Sequence, residues 1–294
     1  MKNEPLLSII LPAYNCGNYI SFTIESILKQ SFTEFILIIV DDGSSDNTFD
    51  IINNYDDKRI IKYKRKHHGI ISSFNFALDM VNTKYVARAD TDDIYFENKF
   101  LQQILFLENN KNTVLLGTNA FYMSEKGIVS NIKVNVPREN SKIINNLYSC
   151  RRAIIQSTII ARTDIVKNIG GYRTGVYPED YDFMFRISSF GEVHNLIEPL
   201  SAIRIHKSFS HKHLATLIKN HKKLIIEYKN KSKSHINNTI WKSSQPFISI
   251  YLNRISLFHY LNGSKIISFL ILSVSVLLSP INSSRAIIRK ILNN

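Results

Sequence analysis

The stretch SIILPAYNCGNYISFTIESILKQSFTEFILIIVDDGSSDNT, residues 8–48, decides the fold. Its two apolar runs, Leu7–Pro12 and Phe35–Val40, are hydrophobic at successive positions and so have no polar face to turn to water. Strands of that kind belong in a parallel sheet covered on both sides. Between them Asn18–Lys29 has the amphipathic spacing of a helix. A strand, a helix and a second strand of this length form one βαβ unit.

The pattern continues outward. Arg59–Tyr63, Tyr85–Ala89 and Val114–Gly117 read as further strands, and Asn47–Tyr55, Ile70–Val81 and Asn98–Asn109 as helices. An α/β fold with a mostly parallel, helix-flanked, Rossmann-like sheet is expected, and such sheets bind ligands beyond the carboxyl ends of their strands. Three polar clusters fall there: Tyr14-Asn15, Asp41-Asp42 and Asp90-Thr91-Asp92-Asp93. Further on, Glu125-Lys126-Gly127 reads as a turn, Ile154–Ala161 as a strand and Tyr181–Ser189 as a helix.

Residues 90–93 pack three carboxylates into four positions, and ionising all of them is costly without a counter-cation. One reading is a solvated acidic turn that caps the helix beginning near Glu97. The other is a hard-cation site for Mg²⁺ or Mn²⁺, with positions left open for phosphate oxygens. Asp41 to Asp46 is equally two-sided: a tight turn with Asp46 as N-cap, in which Asp42 could also accept hydrogen bonds from a ribose or base. Pro178-Glu179-Asp180 has the residues of a helix start, proline first and acids in the opening turn.

Residues 8–48 resemble the opening of family 2 glycosyltransferases, KYVARADTDDIYFENKF resembles their acidic metal motif, and VYPEDYDFMFRIS resembles their later Glu-Asp motif. Order and spacing agree from residue 6 to about 210. The resemblance implies a GT-A fold over 1–210, with a nucleotide-sugar-binding half at 1–117 and an acceptor-binding half at 118–210. It also implies an inverting, metal-dependent hexosyl- or N-acetylhexosaminyltransferase using a nucleotide-sugar, typically with UDP. By position, Pro12 and Tyr14 would line the base pocket and Asp42 would contact base or ribose. Asp90 would bind nucleotide and metal, Asp92 would be the principal metal ligand, and Asp93 a supporting nucleotide-site residue. Asp180 would be the general base, Glu179 an orienting or capping group, and Asp182 a solvent-facing residue. Arg204 would approach the diphosphate and His206 the metal. Asn75 and Arg88 fit the family pattern, whereas His67-His68-Gly69 departs from its usual Asn before Gly.

The formal charge of +13 is not spread evenly. Residues 207–294 hold 14 basic residues against one acid, Glu227, which accounts for all of it. A basic helical extension over 211–294 is therefore expected to seek an anionic surface. Within it Ile266–Ile281 is too short for a span of ~20 residues. That stretch reads either as a buried core helix or as an interfacial one. Lys219, Lys222, Lys223, Lys229, Lys231, Lys233, Arg285, Arg289 and Lys290 flank it and favour the interface. A protein peripheral or monotopic at the cytoplasmic side of a bacterial inner membrane, acting on a glycan or lipid-linked acceptor in cell-surface polysaccharide synthesis, follows as the expectation.

MKNEPLLSII has no signal-peptide pattern, and Cys16 and Cys150 read as reduced thiols. A nucleic-acid-binding protein is the main rival on charge, but the basic residues are confined to the tail and no nucleic-acid-binding motif is present. A sugar nucleotidyltransferase would need a glycine-rich basic loop after the first strand, where Pro12-Ala13-Tyr14-Asn15 stands instead.

Overall fold

The computed structural model describes residues 4–149, 151–206, 214–232, 252 and 255–278. They fall into two compact units. The first comprises Met1–Ala120, Asn135–Leu147 and Arg152–Ala202, and the second Phe121–Val134, Tyr148–Arg151 and Ile203–Asn294.

The first unit is built on the expected parallel core. Strands β1 (Leu7–Ala13), β2 (Phe35–Asp41), β3 (Ile60–Lys64) and β4 (Tyr85–Arg88) lie in the order β3-β2-β1-β4, all parallel. Helices α1 (Ile20–Leu28), α2 (Thr48–Asn53) and α3 (Ile70–Met80) make the crossovers. Every residue of β1 is buried, and Leu7, Ile9 and Leu11 share a core with Ile20, Ile24 and Ile27 of α1. Covering both faces of an apolar strand removes apolar area from water at ~25 cal/mol per Å².

Antiparallel strands extend the sheet. β5 is Ile94–Tyr95, followed by α4 (Lys99–Asn109), β6 (Thr113–Met123) and β7 (Val129–Val134). After α5 (Asn140–Tyr148) come β8 (Ile160–Arg162), α6 (Thr163–Asn168), α7 (Glu179–Ile187) and β9 (Glu192–Arg204). The order continues from β4 through β8, β6 and β9 to β5. β8 runs antiparallel to both β4 and β6, and β5 antiparallel to β9. Ile154–Ala161 is not one strand: residues Gln156–Thr158 form a 3-10 turn ahead of β8. The Thr158 hydroxyl causes the break, accepting from Thr118 N at 3.0 Å and donating to Ile155 O at 2.8 Å. A side chain has taken over a ladder position that backbone would otherwise fill.

In the second unit, β6 turns through Ser124 to Ile128 into β7, with Gly127 at φ +84° in the turn. Helices Leu214–Ser232 and Lys265–Leu278 follow. No helix among the described residues is long and apolar enough to cross a membrane. Cys16 is a buried free thiol; Cys150, Lys233, Arg285, Arg289, Lys290 and residues 279–281 lie outside the described residues.

Candidate active site

Three loops beyond β1, β2 and β3 are laced together at the carboxyl edge of the sheet. Ser45 N donates to Asn15 Oδ1 at 2.8 Å, Asn15 N to Ser44 Oγ at 2.9 Å, and Gly17 N to Asp46 Oδ2 at 3.1 Å. Asp46 also accepts from Thr48 N at 3.0 Å, tying the start of α2 to the β1 loop, but the N-cap position is Asn47 and not Asp46 as the sequence suggested. Gly43, at φ +78°, lets the third loop approach: a Cβ there would stand 2.8 Å from His67 N.

Asp42 is the hub of this edge. Its Oδ1 accepts from Ser73 Oγ at 2.6 Å and its Oδ2 from Gly69 N at 2.7 Å, and His68 N donates to both oxygens. His67 Nδ1 lies 2.9 Å from Oδ2. Burial pushes the carboxyl up, but the bonds from Ser73, His68 and Gly69 and the neighbouring His67 outweigh it and hold Asp42 below the usual range. The side chain expected to meet base or ribose thus already organises the His67-His68-Gly69 loop at the start of α3. Pro12 is buried beside it in β1. Tyr14, half exposed, lies against the exposed His67 ring at 4.1 Å between centroids.

The acidic cluster follows β4. Asp90 N donates to the hydroxyl of buried Tyr95 at 2.8 Å, and Arg88 Nε donates to Asp90 Oδ1 at 3.2 Å. Burial raises the Asp90 carboxyl, Arg88 opposes this, Asp92 adds to it, and the net direction is up. Glu179 is raised as well, by burial first and then by Asp180, with Asp90 contributing and Arg88 opposing. Asp90, Asp92, Glu179 and Asp180 therefore share one field, with the buried Arg88 guanidinium as its internal cation. Asp93 is turned inward: it is 4% exposed and faces Lys99 and Tyr95 electrostatically.

Asp180 and Glu179 stand in the first turn of α7, after Pro178. Asp182 does not face solvent, contrary to the sequence expectation; it is 0% exposed. Arg186 Nε bonds its Oδ2 at 2.8 Å and Arg173 grips both oxygens, because the helix turn points it toward the 169–173 segment instead of away from it. Arg186 also donates to Ile169 O and Gly171 O. Together these bonds fix the helix end that carries Asp180.

Arg204 and His206 belong to the second unit. Arg204 is 9% exposed, and its Nη1 donates to Ser124 O at 3.2 Å and Glu125 O at 2.8 Å in the β6–β7 turn. His206 follows the end of β9.

The donor chemistry fits a divalent cation. Asp90 and Asp92 offer oxygen only, and their mutual repulsion is what a hard cation relieves. No group of three or more His, Cys, Asp or Glu among the described residues is placed to hold a metal ion, so water or a ligand's own oxygens would complete the shell. Sequence reasoning missed Tyr95, Tyr172, Gln156 and the Asp182–Arg173–Arg186 network. Gly170-Gly171 before Tyr172 was the one available signal, since both glycines take positive φ.

Comparison with known proteins bears on the family and the fold. The profile of glycosyl transferase family 2 matches residues 8–170. The chain is 35% identical over 187 residues to the UDP-Glc:alpha-D-GlcNAc-diphosphoundecaprenol beta-1,3-glucosyltransferase WfaP of Escherichia coli, covering 63% of this chain and 71% of that one. Among solved structures it is similar to S. aureus TarS 1-349 in complex with UDP-GlcNAc, with a TM-score of 0.63 at 18% identity, over 92% of this chain and 81% of that one. It is also similar to the mannosyltransferase PcManGT of Pyrobaculum calidifontis in complex with GDP-Man and Mn2+, with a TM-score of 0.57 at 14% identity, over 99% and 80% of the two chains. At these identities the structural likenesses speak for the GT-A fold alone.

Proposed function

The chain belongs to glycosyl transferase family 2, and from that premise we propose that it moves a sugar, with inversion, from a UDP-sugar to an acceptor hydroxyl on a lipid-linked glycan. The observation that carries the reading is the acidic run Asp90 to Asp93 directly after parallel strand β4, with Arg88 Nε bonded to Asp90 Oδ1 at 3.2 Å. WfaP, whose name gives a UDP-glucose donor and a diphosphoundecaprenol acceptor, supports the choice of substrates.

Tyr14 presents its ring to the base, while Asp42 holds the loop that faces it. Asp90 and Asp92 would hold Mn²⁺ or Mg²⁺, and the PcManGT complex with Mn2+ supports that assignment. When bound, such an ion neutralises charge on a departing diphosphate. Inversion requires a carboxylate on the face of the sugar opposite the leaving group, and Asp180 takes the acceptor's proton there. Glu179 orients it. Arg204 and His206 stay assigned to the diphosphate and metal on the family pattern alone.

The extension would hold the enzyme at the anionic inner face of a bacterial membrane. On helix Lys265–Leu278, Ser268, Leu272 and Ser275 are buried while Ile266, Phe269, Leu270 and Val274 are exposed. Two serines are inside with Leu272 while four large apolar side chains are outside, unlike a solvated helix. Exposed Lys219 and Lys223 on helix Leu214–Ser232 add attraction of ~1 kcal/mol each near an anionic leaflet.

A panel of UDP-, GDP- and dTDP-sugars tests the reading. We expect divalent-metal-dependent release of UDP, lost in Asp92→Asn. Failure to bind any nucleotide, with or without Mn²⁺, would remove the proposal. Flotation with anionic but not neutral vesicles, lost on mutating Lys219 and Lys223 to Glu, tests the membrane part.

A further inference from the structure

Residues 58–66 hold six basic side chains, Lys58, Arg59, Lys62, Lys64, Arg65 and Lys66, and no acid. They run along β3 and past its carboxyl end, and β3 is the outer strand of the parallel half of the sheet. Of the six, only Arg59 is in an ion pair among the described residues, with Asp57 at 2.8 Å. Lys62 is bonded instead to Asn53 O at 3.0 Å and Tyr55 O at 2.5 Å, and Arg65 to Ser72 O at 3.3 Å. Lys58, Lys64 and Lys66 are exposed. Five cations thus stand along one edge of a rigid sheet with no carboxylate bonded to them.

Protecting a sheet edge from pairing explains the lysines on the strand itself, Lys62 and Lys64. It does not explain Lys58, Arg65 and Lys66, which lie beyond the ends of the strand. Nor does it explain two large apolar side chains left in water beside them. Ile61 of β3 is 39% exposed, and Ile70, in the turn of α3 to which Arg65 is bonded, is 45% exposed. Basic groups interspersed with bare apolar ones suit an anionic lipid surface, where the charges meet headgroups and the isoleucines enter the interfacial layer. Single-stranded nucleic acid would need open aromatic faces on which its bases stack. Here the rings are covered: Lys64 lies over Phe49 at 4.5 Å, Arg65 lies over Phe76 at 4.1 Å, and Tyr63 meets Phe76 edge-on.

We propose that the β3 edge of the first unit is a second membrane-docking surface, which binds anionic phospholipid headgroups through Lys58, Lys64 and Lys66 and seats Ile61 and Ile70 at the interface. Arg65 N donates to Asp41 O at 2.9 Å, so the docked edge continues directly into the loop that Asp42 organises. Docking therefore holds the nucleotide-binding edge at the leaflet, where a lipid-linked acceptor lies. The inference rests on the reading of a membrane-associated glycosyltransferase and adds to it a contact outside the C-terminal extension.

The test is co-sedimentation of the full chain with vesicles of equimolar phosphatidylglycerol and phosphatidylcholine. One variant combines Lys58→Gln, Lys64→Gln and Lys66→Gln, and a second combines Ile61→Ser and Ile70→Ser. We expect the first to partition onto the vesicles about 10- to 100-fold more weakly than wild type and the second about 3- to 10-fold, both with UDP affinity within about 2-fold of wild type. The same charge removed at Lys84, Lys111 and Lys142, which are already paired with glutamates, should cost less than about 3-fold. Partitioning equal to wild type in both β3 variants, while Lys219→Glu with Lys223→Glu abolishes it, would leave the extension as the sole anchor and overturn the proposal. So would binding of polyuridylate through the three lysines that displaces the vesicles, since the surface would then serve nucleic acid. A wild type that ignores the vesicles but binds UDP removes the proposal together with the membrane reading, and one that binds no nucleotide sinks the glycosyltransferase reading itself.

Discussion

Asn75 of α3 holds Tyr172 by its backbone from both sides, its Nδ2 donating to Tyr172 O at 2.7 Å and its Oδ1 accepting from Tyr172 N at 3.0 Å. Gly171 must lack a side chain for this, since a Cβ there would stand 2.4 Å from Asn75 Oδ1 and its φ is +62°. The Tyr172 ring in turn stacks on Phe183 of α7 at 4.5 Å and meets Phe74 of α3 edge-on at 4.8 Å. One helix thus touches the Asp42 hub at its start and the support of α7 in its middle. Asn75→Ala should cost about 1–3 kcal/mol of stability in chemical denaturation and lower kcat. A variant with unchanged stability and turnover would show the clasp to be incidental.

Asp42 predicts a different pattern. Asp42→Asn replaces one acceptor oxygen by a donor that faces the N–H groups of His68 and Gly69. The loop should loosen, UDP should bind more weakly, and stability should fall by about 1–3 kcal/mol. Ser73→Ala, deprived of the 2.6 Å bond to Asp42, should reproduce part of both effects. If Ser73→Ala leaves UDP affinity untouched while Asp42→Asn abolishes it, Asp42 contacts the nucleotide directly.

How far the sequence could be read depended on how local each signal was. β1, β2 and α1 are legible because their apolar spacing is continuous, and Leu7 to Ala13 is buried throughout. β5 is not: Ile94–Tyr95 is only two residues long and is held by Gln30, just after α1, whose Nε2 reaches Tyr95 O and Phe96 O. Asp41-Asp42 and Asp90 to Asp93 stand out as charge where a strand ends, and Glu179-Asp180 as charge where a helix begins. Partners supplied from a distance, such as Gln156 for Tyr172 or Arg173 for Asp182, leave no trace in spacing. Asp182 looked solvent-facing for that reason: a carboxylate in a first helical turn is read as exposed unless its arginines can be seen.

Asp180→Asn should leave UDP binding intact and lower kcat by about 10²- to 10⁴-fold, the usual span for a general base. Asp182→Asn should act on the same step indirectly, by releasing Arg173 and Arg186 from the start of α7. Its signature is a loss of stability accompanied by a smaller fall in kcat. Equal catalytic losses in the two variants, with Asp182→Asn as stable as wild type, would contradict the division of roles.

Lys99 carries the pH prediction. It is 0% exposed, its Nζ donates to Gln103 Oε1 at 2.8 Å, and it lies over the rings of Tyr95 and Phe100. Burial lowers its pKa from 10.5 to about 7, with Asp93 acting the other way. Between those values the unfolded chain holds a proton that the folded chain has released, so stability from this residue rises with pH across the window. It is complete above the unfolded pKa and lost as pH falls through the folded one. Lys99→Met has nothing to titrate there, and the other groups cancel in the comparison. The stability of wild type relative to Lys99→Met should therefore grow by about 1–2 kcal/mol between pH 7 and pH 9, measured by denaturant titration at both. A constant difference would mean that Asp93 keeps the lysine protonated throughout, and the interior beneath the acidic cluster would then hold a permanent ion pair.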